Sequence, residues 1–258
     1  MADLKALLFD VDGTLADTER DGHRVAFNRA FEEAGLDWHW SEELYGRLLA
    51  VTGGKERMRF YLNEFNAAFQ LPENGDEFIA DLHKSKTRHF TDMLKEGKIP
   101  LRTGVKRLLT EAKNAGLRLA VATTTTPENV STLLKSTLGD DWQSYFEVIA
   151  AGDIVPNKKP APDIYVWAMQ QMSLDPVECL ALEDSANGVK SVIGAKISTL
   201  VVTVNGYTRN EDFTGASLIV DQFGDADSPS SVISGSLYGD TFVTIEALRT
   251  LHGEMTAG

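Results

Sequence analysis

Short, continuously apolar runs recur along this chain, several of them leading into longer stretches of helical spacing. They are "KALLFDVDG" from Lys5, "LRLAVATTTT" from Leu117, "FEVIAAGD" from Phe146, "CLALED" from Cys179, "STLVVTVNG" from Ser198 and "ASLIVDQFGD" from Ala216. Strands that are apolar without alternation are buried on both faces. Alternation of such strands with helices therefore predicts a parallel sheet covered on both sides. The fold class this implies is α/β, a Rossmann-like doubly wound parallel-sheet core. Pro127 after Thr126 suits a helix start, because proline tolerates the first turn and threonine can cap it.

Residues 17–99 read differently. "HRVAFNRAFEEAGL", "SEELYGRLLAV", "GKERMRFYLNEFNAAF" and "DEFIADLHKSKTRHFTDMLKEG" carry apolar residues at helical spacing, with no convincing strand among them. The simplest architecture is an α/β core of residues 1–16 and 100–258 with an all-helical cap, 17–99, inserted after the first strand. Short hinges are expected near Ala16–Thr18 and Lys98–Arg102. The Ser-rich stretch "GDADSPSSVISGSLYGD" reads as a loop before a closing helix in "TFVTIEALRTLHGEM".

Charge narrows the partners. Lys+Arg 25 against Asp+Glu 38 gives a net charge of -13, which disfavours nucleic acid and anionic membrane surfaces. No apolar stretch approaches the ~18 residues of a membrane span, and the start, with Asp3, does not read as a signal peptide. The single cysteine, Cys179, lies inside an apolar run and reads as a small buried residue. A reduced, cytoplasmic setting is expected, with the chain acting as a monomer.

In an open parallel sheet, ligands bind at the carboxyl ends of the strands. Here those ends carry Asp10 and Asp12, Thr123 to Thr126, Glu183 and Asp184, and the loop "GDIVPNKKPAPDIY". Four carboxylates in one crevice repel one another unless a cation neutralises them, and all-oxygen ligands suit Mg2+. A carboxylate is a workable nucleophile toward phosphorus once a metal and a lysine offset its charge.

"DVDGT", the threonine of "ATTTT", the lysine of "KKPAPD" and "EDSANG" follow one another in order, each at an apparent strand end. In this the chain resembles the haloacid dehalogenase-like hydrolase superfamily over nearly its whole length. The resemblance implies that Asp10 is the nucleophile, forming an aspartyl phosphate, and that Asp12 is the general acid and base. Thr123 and the backbone NH of Thr124 would hold phosphoryl oxygens, and Lys159 would neutralise charge beside Asp10. Mg2+ would be held by Asp10, the Asp12 carbonyl and Asp184, with Glu183 direct or through water.

The helical insertion is similar to that of the subgroup containing phosphoglycolate phosphatases, β-phosphoglucomutases and CbbY-type phosphatases. "TERDGHRVAFN", "TGGKERM", "LHKSKTRHF", "LRTGV" and "GYTRNEDF" look like the CbbY group, which hydrolyses xylulose 1,5-bisphosphate, an inhibitory by-product of carbon fixation. Glu19 and His23 would then face substrate hydroxyls or the leaving group. Gly54, Lys55 and Arg57 would hold a distal phosphate, with Lys86 reaching in from the last helix of the insertion. "GGKER" offers backbone NH groups and two cations at a helix start, which suits a phosphate. A sugar phosphomutase uses the same four motifs, and a non-catalytic sugar-phosphate-binding protein is the alternative of another class.

Overall fold

The first apolar run folds as β1 (Ala6–Phe9), every residue of which is buried. In the computed structural model, which describes residues 2–51 and 53–257, it lies at the centre of a sheet. The other runs supply β2 (Arg118–Thr123), β3 (Val148–Ala151), β4 (Cys179–Glu183), β5 (Thr199–Thr203) and β6 (Leu218–Val220). With β7 (Val232–Ser234) the strand order is β3-β2-β1-β4-β5-β6-β7.

All neighbours are parallel except β6 and β7, which pair antiparallel. The order reverses at β1. Phe9 lies in register with Val121 of β2 on one side and Leu182 of β4 on the other, so three strand ends stand side by side. That is the topological switch point at which open α/β sheets bind ligands.

Side chains alternate across the sheet. Ala6, Leu8, Ala122, Ala181 and Val202 pack with Ile164 and Ala168 of α7 (Asp163–Met172) and Val189 and Val192 of α8 (Ala186–Gly194). Leu7, Phe9, Val121 and Leu182 alternate with them and are equally buried. On the sheet, α5 (Val105–Asn114) lies against β2 and α9 (Ile245–Met255) against β5. α6 (Pro127–Leu138) begins with Pro127 after Thr126, whose side chain accepts from the Asn129 NH as its cap. Cys179 is buried, and burial pushes its thiol up to about 12, which leaves it inert at neutral pH.

One expectation needs correction. The Ser-rich stretch is not all loop, because Val232–Ser234 forms the edge strand β7. All three residues are exposed, so no buried face marks them as a strand.

The chain divides into two compact units, Met1–Asp17 with Pro100–Gly258, and Thr18–Ile99. Asp17 goes with the first unit, where its carboxylate lies 3.3 Å from Arg102. The second unit opens with a π-helical turn, Thr18–His23, that runs into α1 (Arg24–Glu33). It continues as α2 (Glu42–Leu48), α3 (Gly54–Phe65) and α4 (Gly75–Lys95). Its core is aromatic: Trp40 sits 4.6 Å from Phe27 and 4.9 Å from Phe31, ring centre to ring centre. Asn28 pins the Trp40 backbone at both NH and carbonyl, at 2.8 and 3.0 Å. Among the described residues, no helix is long and apolar enough to cross a membrane.

Candidate active site

At the end of β1 the chain leaves the sheet and doubles back. The NH groups of Thr14, Leu15 and Ala16 donate to the Val11 carbonyl, and the Gly13 NH donates to Ala16. Gly13 has φ +90°, and a Cβ there would lie 2.1 Å from Asp184 Oδ2. Only glycine serves both the backbone conformation and the close approach. The turn leaves Asp10 nearly buried and Asp12 half-buried.

Around Asp10 the neighbouring strand ends assemble a buried charge cluster. Asp10, Glu183 and Asp184 each offer a carboxylate oxygen within 4.8 Å of the others. Lys159 donates to Asp10 Oδ1 and to Glu183 Oε1, both at 2.6 Å. Tyr165 of α7 donates to the same Glu183 oxygen at 2.5 Å. Glu183 Oε2 accepts from the Asp184 NH at 3.3 Å. A Cβ at Gly188 would strike the Glu183 carboxylate at 1.9 Å, so α8 can approach this closely only through glycine.

The electrostatics follow from three acids sharing one ammonium. Burial pushes Glu183 up, Lys159 opposes it, Asp10 adds to it, and the carboxyl settles at about 7. Asp184 is driven well above the usual carboxylate range by burial and then by Asp10 and Glu183, against a hydrogen bond from Asn205. Burial works against the Lys159 ammonium, but Asp10 and Glu183 outweigh it and its affinity for the proton rises. The donor set is buried, all oxygen and over-charged, which fits a small hard divalent cation such as Mg2+. Asp12, expected as the general acid and base, is not one of these three carboxylates.

Thr123 is fully buried at the end of β2, where its hydroxyl accepts from the Thr125 NH at 3.3 Å. Thr124 follows it, half-buried. Together with Asp10, Asp12, Lys159, Glu183 and Asp184, these residues all lie in the α/β unit.

The helical unit holds the remaining candidates in two adjoining groups. Tyr45 donates to Glu19 at 2.5 Å and accepts from Arg57 at 2.7 Å. The Arg57 guanidinium is 3.8 Å from Glu19 and lies over the Tyr45 ring. The Lys86 ammonium is 2.9 Å from His23 Nδ1 and lies over the Phe27 and Phe90 rings. An ammonium can only donate, so Nδ1 accepts and a neutral His23 carries its proton on Nε2. Burial, then Lys86, Arg57 and His83, hold the His23 pKa well below its ordinary value. Gly54 opens α3 beside the His83 ring, and Lys55 after it is exposed. Thr52 of "TGGKERM" lies outside the described residues.

Three residues that touch this machinery have no role at the site in the sequence reading: Tyr165 and Asn205 on its carboxylates, and Arg102 on the turn after Asp12. Asn205 was within reach of sequence reasoning, because it stands at the carboxyl end of the fifth apolar run, beside β4.

Comparison with known proteins agrees with this architecture. The haloacid dehalogenase-like hydrolase family matches residues 4–196. The plasmid-encoded protein CbbY of Cupriavidus necator is 46% identical over 250 residues, covering 96% of this chain and 97% of that protein. A crystal structure of a CbbY variant from Rhodobacter sphaeroides in complex with xylulose-(1,5)bisphosphate superimposes with a TM-score of 0.70 at 45% identity. It covers 86% of this chain and 96% of that one. A putative β-phosphoglucomutase from Thermotoga maritima follows at TM-score 0.67 and 27% identity, covering 84% and 94%.

Proposed function

The chain belongs to the haloacid dehalogenase-like hydrolase family, and we propose that it is a Mg2+-dependent sugar-bisphosphate phosphatase working as a cytoplasmic monomer. The substrate we assign is xylulose 1,5-bisphosphate, converted to xylulose 5-phosphate and phosphate. The observation that carries the reading is Lys159 bridging Asp10 and Glu183 in a buried cluster of three acids at the strand ends. It is supported by 45% identity to a CbbY structure that holds this bisphosphate.

In this mechanism an Asp10 oxygen attacks the C1 phosphorus. The new bond forms as the phosphorus–sugar oxygen bond breaks, and Asp12 gives that oxygen its proton. Asp12, now a base, takes a proton from water, which attacks phosphorus and releases Asp10. Lys159 holds the Asp10 carboxylate in orientation and offsets its repulsion from the phosphate. Thr123 and the Thr124 NH hold phosphoryl oxygens. Mg2+, which Asp10, the Asp12 carbonyl and Asp184 would hold with Glu183 direct or through water, would neutralise charge on the acids and the phosphoryl group.

The helical unit serves as the cap that selects the substrate. Gly54, Lys55 and Arg57 hold the distal phosphate with help from Lys86. The His23 Nε2 proton and the Glu19 carboxylate face hydroxyls or the leaving oxygen. Binding energy from the remote phosphate then serves the reaction at C1.

Phosphate release from a panel of phosphorylated sugars with Mg2+ tests this. Xylulose 1,5-bisphosphate should turn over best, with xylulose 5-phosphate as product, and Asp10→Asn should abolish turnover. Asp10→Asn activity within about tenfold of wild type, ~1.4 kcal/mol in barrier, would contradict the covalent route. A hexose monophosphate returned as its isomer would make the chain a mutase instead.

A further inference from the structure

Asn205, just beyond β5, has a side-chain amide whose orientation is settled by its neighbours. Its Oδ1 accepts from the Tyr207 NH at 2.9 Å and the Thr208 NH at 3.2 Å. The nitrogen must therefore point the other way, and it donates to Asp184 Oδ2 at 2.8 Å. The Thr208 hydroxyl closes the turn by accepting from the Asn205 NH at 3.2 Å. One oxygen of Asp184 is thus committed, and the direction of the other is set.

The segment that carries Asn205 is itself anchored. Arg102, half-hidden in the chain's return from the helical unit, donates Nη1 to the Thr203 carbonyl at 3.1 Å and to the Gly13 carbonyl. Its Nη2 donates to the carbonyls of Val204 at 2.6 Å and Asp221 at 2.8 Å. A single planar guanidinium therefore joins the two residues before Asn205 to the turn after Asp12. The fit is close: a Cβ at Gly13 would lie 2.8 Å from Asn205 Nδ2.

We propose that Asn205 is a positioning residue for Asp184, committing one carboxylate oxygen so that the other is presented to the divalent cation. Arg102 holds it in register with the turn that follows Asp12. The inference rests on the reading of Asp10, Glu183 and Asp184 as a cation site. Partners that orient a metal's ligands are worth about ten- to a hundredfold in affinity or activity.

Isothermal titration of the full chain with Mg2+ alone, without substrate, tests it on wild type, Asn205→Ala and Asn205→Ser. The serine oxygen can still accept from the Tyr207 NH two residues on, so that variant keeps the turn but cannot reach Asp184. Both variants should bind Mg2+ about ten- to a hundredfold more weakly. Asn205→Ser should also keep the wild-type unfolding midpoint in chelator. At saturating Mg2+ its kcat should stay depressed while KM changes little. Wild-type Mg2+ affinity in Asn205→Ser overturns the positioning role, whatever becomes of Asn205→Ala. A wild-type chain that takes up no Mg2+ overturns the reading of the acidic cluster itself, and the inference with it.

Discussion

Among the described residues, the buried charges of the α/β unit are carboxylates, whereas those of the helical unit are the cations Arg57 and Lys86. In the first, Asp10, Glu183 and Asp184 share Lys159. In the second, Arg57 and Lys86, with His23 and His83 close by, have Glu19 as the carboxylate within 3.8 Å of Arg57. The same electrostatics then acts with opposite sign. Burial and like charge raise the carboxyls of Glu183 and Asp184, and burial and like charge lower His23 and His83. Neither arrangement is what stability alone would select, since apolar residues of similar size fill such space at least as well. A divalent cation would relieve the first and an anionic phosphate the second.

The two units also respond oppositely to pH. Glu183 is raised from 4.5 to about 7, so its contribution to stability is complete below 4.5 and is lost as pH rises toward 7. His23 is lowered from 6.5, so its contribution is present above 6.5 and is lost as pH falls through the depressed value.

Breaking the comparison at its most buried point should have the largest effect. Lys159→Met leaves Asp10 and Glu183 facing each other without their cation, and removing one partner of a buried pair costs roughly 3–5 kcal/mol. Denaturant unfolding in chelator should show that loss at neutral pH and less of it near pH 5, where Glu183 is protonated. Undiminished stability at neutral pH would mean that the three acids do not repel as their burial implies.

The helical unit should give a smaller and more selective response. Lys55 is exposed, so Lys55→Ala should leave folding intact. A charge-assisted phosphate contact is worth about 1.5–3 kcal/mol, so kcat/KM on the bisphosphate should fall roughly ten- to a hundredfold. Turnover of a small monophosphate should hardly change. Equal losses on both substrates would remove Lys55 from recognition and erase the distinction between the two units.

Much of the α/β unit was legible because its strands are short, apolar and terminated by the residues that do chemistry. Asp10, Thr123, Glu183 and Asp184 each stand where an apolar run stops, and register across the sheet brings them together. Lys159 could be found by motif, but not its double contact with Asp10 and Glu183. Tyr165 was hidden because a tyrosine on an apolar helix reads as core, whereas Asn205 stands at a strand end and has only a neutral amide to mark it. Arg102 is hidden more deeply, with the Gly13 carbonyl 89 positions distant. The π-helical turn at Thr18–His23 has no signature in helical spacing, because six residues are too few to separate one helical period from another. β7 escaped for a different reason: an exposed edge strand needs no apolar face.

The central claim is that the buried acids of the α/β unit exist to hold a divalent cation. Below about pH 7 the metal-free cluster retains protons, because Glu183 titrates at about 7 and Asp184 is held well above its usual range. A cation must displace them, since metal ligands bind deprotonated. Calorimetric titration of the metal-free protein with Mg2+ at pH 6, repeated in buffers of different ionisation enthalpy, counts the protons released. The account predicts net release of about one proton or more at pH 6, smaller once pH has risen past about 7, where Glu183 gives up its own proton. Asp184→Asn should lose that release together with most of the affinity. Mg2+ binding that releases no protons at pH 6 and survives Asp184→Asn would contradict it.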